Sequence, residues 1–435
     1  MGELLESVLW GWHVLILILA VGIQYSLITG FYQIRKIGFW LKTAFTGGDD
    51  KGGTSQFQAL TAALGGSIGT GNIVGVAAAI AVGGPGAIFW IWISALFGMM
   101  TLFGENVLSR KYRDAPGALG YIRRVGKIGV YLAAVYAAGV FLASLGMGNM
   151  IQTNAASAAL AEFGVSPIVS GIVMAVILFF VARGGLKSAV KITEKLVPLM
   201  SLIFFCISIA VIWIFRRNLP GAFASIIDGA FSLRAGAGGG AAGMLIAMKT
   251  GISRGIFTNE AGLGSSSFAY ADVKGKAPVQ IGCMGIFQVF IDTIVMCTLT
   301  GLCILCSRPP ILSGTELTFY AYEAALGTTG VNLISLCTAL FAFATTVTWC
   351  CYGRAGLFYL TGGRGKTVFS LVFAAAAFLG CIMPLTQVFQ LGDAFNGLMA
   401  IPNILALFYF APEIREAAQT PAGQLMPYKG RMKIS

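Results

Sequence analysis

Two stretches of the chain combine glycine with hydroxyl, amide and carboxyl side chains inside otherwise apolar runs. The first, LGGSIGTGNIVG (Leu64–Gly75), holds five glycines together with Ser67, Thr70 and Asn72. The second, TGISRGIFTNEAGLGSSS (Thr250–Ser267), sets Gly251, Gly255, Gly262 and Gly264 around Thr258, Asn259 and Glu260. Glycine at this density interrupts a helix and leaves backbone N–H and C=O groups without intrahelical partners. Freed amides and half-helix N-termini favour a carboxylate, while freed carbonyls hold sodium or an ammonium group. A zwitterionic amino acid with a cation fits that donor set. Other chemistry is poorly supplied. His13 is the only histidine, so a histidine-based triad or multi-histidine zinc site is excluded, and the nine cysteines, including Cys350 and Cys351, lack metal or disulfide spacing. The ionisable groups at membrane depth are Glu105, Glu260 and Asp292, where charge is expensive and a functional role is the default expectation.

The elements that position these stretches are membrane spans. Of 435 residues 57% are hydrophobic and 11% charged, with mean hydropathy +0.82, which is too little charge to cover a soluble protein. Apolar segments of about 20 residues, enough to cross a bilayer, recur from end to end. Eleven are expected, at 9–32, 57–82, 86–109, 128–160, 166–183, 195–216, 240–263, 278–306, 329–353, 367–384 and 393–411. Short linkers leave one transmembrane domain over 1–435. Glu3 and Glu6, rather than a basic segment, precede the first span, which argues for a retained helix and not a cleaved leader.

Charge sets the expected orientation. With the loop 33–56 in the cytoplasm, 23 of the 29 basic residues fall inside, among them Arg35, Lys51, Arg110, Arg123, Arg124, Lys187, Lys274, Arg354 and the tail residues Lys429, Arg431 and Lys433. Arg216, Arg217, Arg234 and Arg308 fall outside, while Lys249 and Arg254 lie within a span. This places the N-terminus outside and the C-terminus in the cytoplasm of a cell membrane. Anionic lipid accounts for the net charge of +12, so no nucleic-acid partner is needed.

The interrupted spans are the second and the seventh. An offset of five is odd, so the second copy enters from the opposite face, as in an inverted five-helix repeat. The expected fold is an all-α polytopic bundle with one extra N-terminal helix (9–32), repeats at 57–216 and 240–411, and a cytoplasmic tail (412–435). Broken helices at matching places in inverted repeats point to a transporter's binding site. An enzyme lacks its constellation here, and a channel would need a pore-lining repeat.

Sequence blocks in order along the chain resemble the alanine or glycine:cation symporter family, the sodium/alanine symporters. They are GTGNIVGVAAAIAVGGPGAIFWIW (Gly69–Trp92), FGENVLSRKYR (Phe103–Arg113), GMGNMIQTNA (Gly146–Ala155), GGLKSAVKITEKLVPLM (Gly184–Met200), SRGIFTNEAGLGSSS (Ser253–Ser267), FIDTIVMCTLTG (Phe290–Gly301) and FAFATTVTWCCYG (Phe341–Gly353). The resemblance implies a leucine-transporter-like fold and uptake of alanine or glycine with sodium as coupling ion, with no other cofactor and as a monomer. It implies that Thr70, Gly71 and Gln152 meet the substrate carboxylate, that Phe257, Thr258, Asn259 and Glu260 form the amino-group side, and that Trp349 walls the methyl group. For sodium it implies Gly65 and Ile68 carbonyls with the Thr345 hydroxyl, and Asn72 beside them.

Each assignment has a bland counterpart in the residues themselves. Gln152 reads equally as an interhelical hydrogen-bond partner and Trp349 as a packing aromatic, while Thr345 and Thr346 read as bonding back to their own helix. Asn72 also reads as a cap on the inner half-helix. Glu105, Glu260 or Asp292 can serve as a partner for Arg254 or for a backbone break. Three departures from the family pattern stand out: a short YRDAPGALGYIRRVG loop, Ala344 where a hydroxyl residue is usual, and Arg354 where an acid is usual. With the buried acids, they keep a second reading open, in which the same fold moves another small solute or uses protons.

Overall fold

The computed structural model describes residues 7–46, 55–184, 186–231, 241–271, 273, 276–310 and 314–420. Side chains at 185–190, 241 and 242 are left aside, and Glu3, Glu6, Lys51, Arg234, Lys274, Lys429, Arg431 and Lys433 lie outside the described residues. Among the described residues the regular structure is helical. The long elements are α1 (Trp12–Ile28), α2 (Ile37–Phe45), α3 (Gln56–Ser67), α4 (Val74–Gly83), α5 (Ala87–Lys111), α6 (Gly129–Leu145), α7 (Ile151–Ala161), α8 (Pro167–Gly184) and α9 (Leu186–Ile214). There follow α10 (Leu219–Phe231), α11 (Ala241–Asn259), α12 (Pro278–Val289), α13 (Thr298–Ser307), α14 (Thr315–Leu326), α15 (Thr328–Thr361), α16 (Lys366–Ile382), α17 (Leu385–Tyr409) and α18 (Ala411–Gln419).

Each of the eleven expected spans falls on a helix, but length and apolarity do not qualify them all. Among the described residues eight helices are long and apolar enough to cross a membrane, and α3 with α4 makes a ninth span bent by 56° at its break. The apolar α16 has 17 residues, and α11 carries Lys249 and Arg254. Linkers also hold helices of their own, α2, α10 and α14, and α18 opens the tail.

The surface is an apolar belt: Ile16, Leu27, Ile172, Phe180, Leu202, Trp213, Leu371 and Leu405 are exposed. The interior instead collects polar side chains, including Asn72, Glu105, Asn149, Gln152, Asp292 and Asn403, all buried. This inversion suits a lipid solvent, in which helices satisfy their own backbone and polar side chains must find partners inside. The broken second span lies at the centre: α3 packs against α9 and α15, and α4 against α11. Helix α5 packs against both α11 and α12, placing its middle beside the second break. At the basic end Lys111 and Tyr112 bond Glu413 of α18 at 2.5 and 2.8 Å, and burial with that carboxylate pushes the Tyr112 phenol up.

Candidate functional site

Helix α3 stops at Ser67. Ile68 and Gly69 are extended, and Thr70–Asn72 forms a single tight turn before α4 resumes. Several of the freed backbone groups have defined partners. The Ile68 carbonyl accepts from the Thr345 hydroxyl at 3.3 Å, the Gly69 N–H donates to Asn72 Oδ1 at 3.0 Å, and the Thr70 N–H donates to Gln152 Oε1 at 3.1 Å. Beyond the turn, Thr300 of α13 and Thr318 of α14 bond the carbonyls of Asn72 and Ile73 at 2.7 and 3.4 Å. Gly69 is required by space, since a Cβ there would lie 2.6 Å from Thr345 Oγ1 and 3.0 Å from Gln152 Oε1.

Gln152 enters from α7 just after a widened turn of π-helix at Gly146–Met150. Its oxygen also accepts from the Thr70 hydroxyl at 3.0 Å, and its amide nitrogen donates to Met147 O at 3.1 Å. Gln152 is thus an interhelical partner of the break itself, and the same oxygen marks where the turn's donors converge.

The seventh span ends four residues earlier than expected. Helix α11 stops at Asn259, Glu260 takes a left-handed conformation (φ +58°), and Gly262 and Gly264 follow at +86° and +71°. The left-handed region is costly for a residue with a Cβ, by about 1–2 kcal/mol. Glu260 is fixed there by its side chain: Trp349 Nε1 donates to Oε1 at 2.9 Å, and Ser265 donates to Oε2. The hook of the chain that follows is held from α5. Glu105 Oε1 accepts the N–H groups of Gly262 and Gly264 at 2.9 and 3.1 Å and Asn403 Nδ2 at 2.8 Å, while Tyr136 donates to the Leu263 carbonyl at 2.8 Å.

The two breaks meet at Gly71. A Cβ at that position would stand 3.2 Å from both Phe257 Cδ1 and Thr258 Oγ1. Asn259 turns inward, its Oδ1 accepting the Ala261 N–H at 3.0 Å. Above Phe257, the Arg254 guanidinium carbon lies 5.6 Å from its ring centre and 4.5 Å from that of Phe389, and Arg254 bonds Asp393 Oδ2 at 3.0 Å. Arg254 therefore pairs with Asp393 of α17, and not with Glu105, Glu260 or Asp292.

Of the residues expected near sodium, Ile68 and Thr345 are in direct contact, and Gly65 faces Thr348, whose Oγ1 would be 3.2 Å from a Cβ there. Asn72 is committed on both sides of its amide: Oδ1 takes the Gly69 N–H, while Nδ2 donates to the carbonyl and carboxylate of Asp292 at 2.8 and 2.9 Å. Asn72 therefore closes the tight turn and ties it to Asp292, and it caps neither half-helix. Thr346 bonds back to Ala342 O at 2.8 Å, whereas Thr348 reaches across to Ala62 O at 3.5 Å. Among the described residues no group of three or more His, Cys, Asp or Glu could hold a metal ion, and the nine cysteines are free.

Sequence reasoning missed Thr300, Thr318, Asp393 and Asn403. A signal existed for the last two, since 393, 396 and 403 fall within about 80° of one another on a helix of 3.6 residues per turn, a polar stripe in an apolar span.

A polytopic helical bundle with two facing breaks, each stabilised by side chains from other spans, defines a membrane transporter rather than an enzyme. The chain belongs to the sodium:alanine symporter family, whose model matches residues 1–425. It is 37% identical over 425 residues to the sodium/alanine symporter AgcS of Methanococcus maripaludis, covering 92% of each chain. It is 32% identical over 416 residues to the probable sodium/glutamine symporter GlnT of Bacillus subtilis, covering 93% of this chain and 86% of that one. A third relative, at 31% over 433 residues and 94% and 89% coverage, is the putative sodium/proton-dependent alanine carrier protein YrbD of Bacillus subtilis.

Proposed function

We propose that this protein imports a small neutral amino acid, alanine or glycine, together with sodium, by alternating access around the two breaks. The observation that carries the proposal is their meeting at Gly71, with the Thr70 donors and Gln152 on one side and Phe257, Thr258 and Glu260 on the other. The Thr70–Gly71 turn presents amides to a carboxylate; the carbonyls of Phe257–Glu260 and the Glu260 carboxylate receive the ammonium; Trp349 closes the side-chain end. Sodium is held by uncharged oxygens at Gly65, Ile68 and Thr345, a donor set suited to a hard monovalent ion. Because Ile68 O and Thr345 Oγ1 share one hydrogen bond across the break, an ion between them replaces that bond and ties α3 to α15.

In this reading 57–216 and 240–411 are inverted repeats, the basic end faces the cytoplasm, the cell membrane is the site of action, and one chain is sufficient. The layer of Phe257, Arg254 and Phe389 closes the pocket toward the outside. Reconstitution into liposomes tests the proposal: uptake of labelled alanine or glycine should rise with an inward sodium gradient. Uptake indifferent to sodium refutes the coupling, and uptake of neither amino acid refutes the substrate class.

Two buried carboxylates favour a second reading, in which protons replace or accompany sodium. Asp292 and Glu260 are each 1% exposed or less and flank the two breaks directly, through Asn72 and Trp349. A name such as that of the sodium/proton-dependent relative adds to this reading. Uptake driven by a pH gradient in sodium-free buffer supports it, and indifference to pH removes it.

A further inference from the structure

Below Trp349 the inner part of α15 borders a cavity of about 410 Å³ at the basic end of the bundle, lined by Pro116, Phe268, Tyr352, Arg354, Phe358 and their neighbours. This volume lies within the range of small-molecule sites. Three features set it apart from an incidental gap. Among the described residues Arg354 lines it with no carboxylate alongside and makes no ion pair; its guanidinium rests on the Phe358 ring at 5.4 Å and gives one N–H to Ala182 O at 3.3 Å. The Tyr352 hydroxyl is buried with no hydrogen-bond partner among the described residues, although a buried hydroxyl normally has one. Finally, Tyr352 stands between the cavity and the amino-acid pocket: its ring contacts Trp349 at 5.5 Å and stacks on Phe268 at 5.5 Å, and Phe268 stacks in turn on Tyr136 at 6.5 Å.

We propose that this cavity is a second binding site for the transported amino acid, on its path to the cytoplasm, in which Arg354 takes the carboxylate. The inference rests on the amino-acid transport reading above and adds a station to it. An arginine fork without a carboxylate partner is matched by a planar anion, which it binds through two parallel hydrogen bonds. The Tyr352 hydroxyl lies toward α3, 3.3 Å from where a Cβ at Gly66 would stand, so Tyr352 forms the wall between the two stations and an amino acid leaving Trp349 exchanges the Thr70 amides for Arg354. Parting of the Tyr352–Phe268 stack opens the route between the two stations.

Sided membrane vesicles test this. Inside-out vesicles present the cytoplasmic face and right-side-out vesicles the outer face, and sodium-dependent alanine uptake is titrated in both. Arg354→Gln should raise the half-saturating alanine concentration about tenfold at the cytoplasmic face, the loss of one charge-assisted contact, and leave the outer face within twofold. Arg354→Lys should restore most of the wild-type value. Alaninamide, which keeps the amine and lacks the carboxylate, should compete more weakly than alanine at both faces, because the Thr70 turn also takes the carboxylate, and in Arg354→Gln its disadvantage at the cytoplasmic face should shrink by about tenfold to that at the outer face. Equal shifts at both faces, or none in Arg354→Gln, overturn the second site while the transport reading stands. A wild type that takes up neither alanine nor glycine at either face overturns the transport reading itself.

Discussion

Glu105 offers the sharpest test of how the second break is held. A single carboxylate oxygen accepts three hydrogen bonds, from the N–H groups of Gly262 and Gly264 and from Asn403, and the residue is fully buried. In Glu105→Leu the Asn403 amide keeps a partner, because it also donates to the Gly262 carbonyl at 2.9 Å. The two glycine N–H groups keep none, and each orphaned donor costs about 1–3 kcal/mol, so the loss is roughly 2–6 kcal/mol. In Glu105→Gln an amide oxygen can still accept both. It forfeits the extra strength of a charged acceptor but also removes a buried charge, two effects that oppose each other and leave the change near 1 kcal/mol. Thermal inactivation of the purified protein in detergent, read as half-life at fixed temperature, should therefore rank wild type and Glu105→Gln together and Glu105→Leu far below. If Glu105→Leu inactivates as slowly as wild type, the hook does not depend on this acceptor. If Glu105→Gln is as labile as Glu105→Leu, the negative charge and not the acceptor geometry holds the break.

Gly69→Ala should abolish uptake while the protein still assembles, since its methyl would meet Thr345 Oγ1 at 2.6 Å inside the first break; retained uptake with unchanged KM would show that the turn relaxes. Gln152→Leu leaves the Thr70 N–H and hydroxyl without their acceptor, two donors at about 1–3 kcal/mol each, and should shorten the thermal half-life of the substrate-free protein by the equivalent of roughly 2–6 kcal/mol. Arg254→Met removes the ion-pair partner of the buried Asp393 carboxylate and should shorten the thermal half-life, by the equivalent of up to about 3–5 kcal/mol, whereas the double variant Arg254→Met/Asp393→Leu should recover most of it. A double variant no more stable than the single one would show that the pair's geometry, and not its charge balance, is what matters.

Much of the bundle was legible because lipid imposes a simple rule on sequence. A span must be apolar over about 20 residues, so the runs 195–216 and 86–109 declare themselves and fall on Leu186–Ile214 and Ala87–Lys111. The breaks were legible for the complementary reason, that glycine and polar side chains in such a run cannot be explained by lipid contact. The helices in the linkers were not legible: α10 and α14 are short and gain their stability from packing on the bundle, which propensity does not report. The early stop of α11 at Asn259 was also hidden, because the Glu260 conformation depends on Trp349, 89 residues away.

The sequence by itself determined that this chain is a helical membrane protein and that two of its apolar runs cannot be continuous helices, because these follow from local composition against the solvent. Tertiary structure alone decided what satisfies each opened backbone group. Thr70 is met by Gln152, Ile68 by Thr345, Asn72 by Asp292 and Thr300, and the Gly262–Gly264 hook by Glu105 and Asn403. Those partners come from distant spans, and in an interior without water a polar group is satisfied only by whatever the packing brings to it.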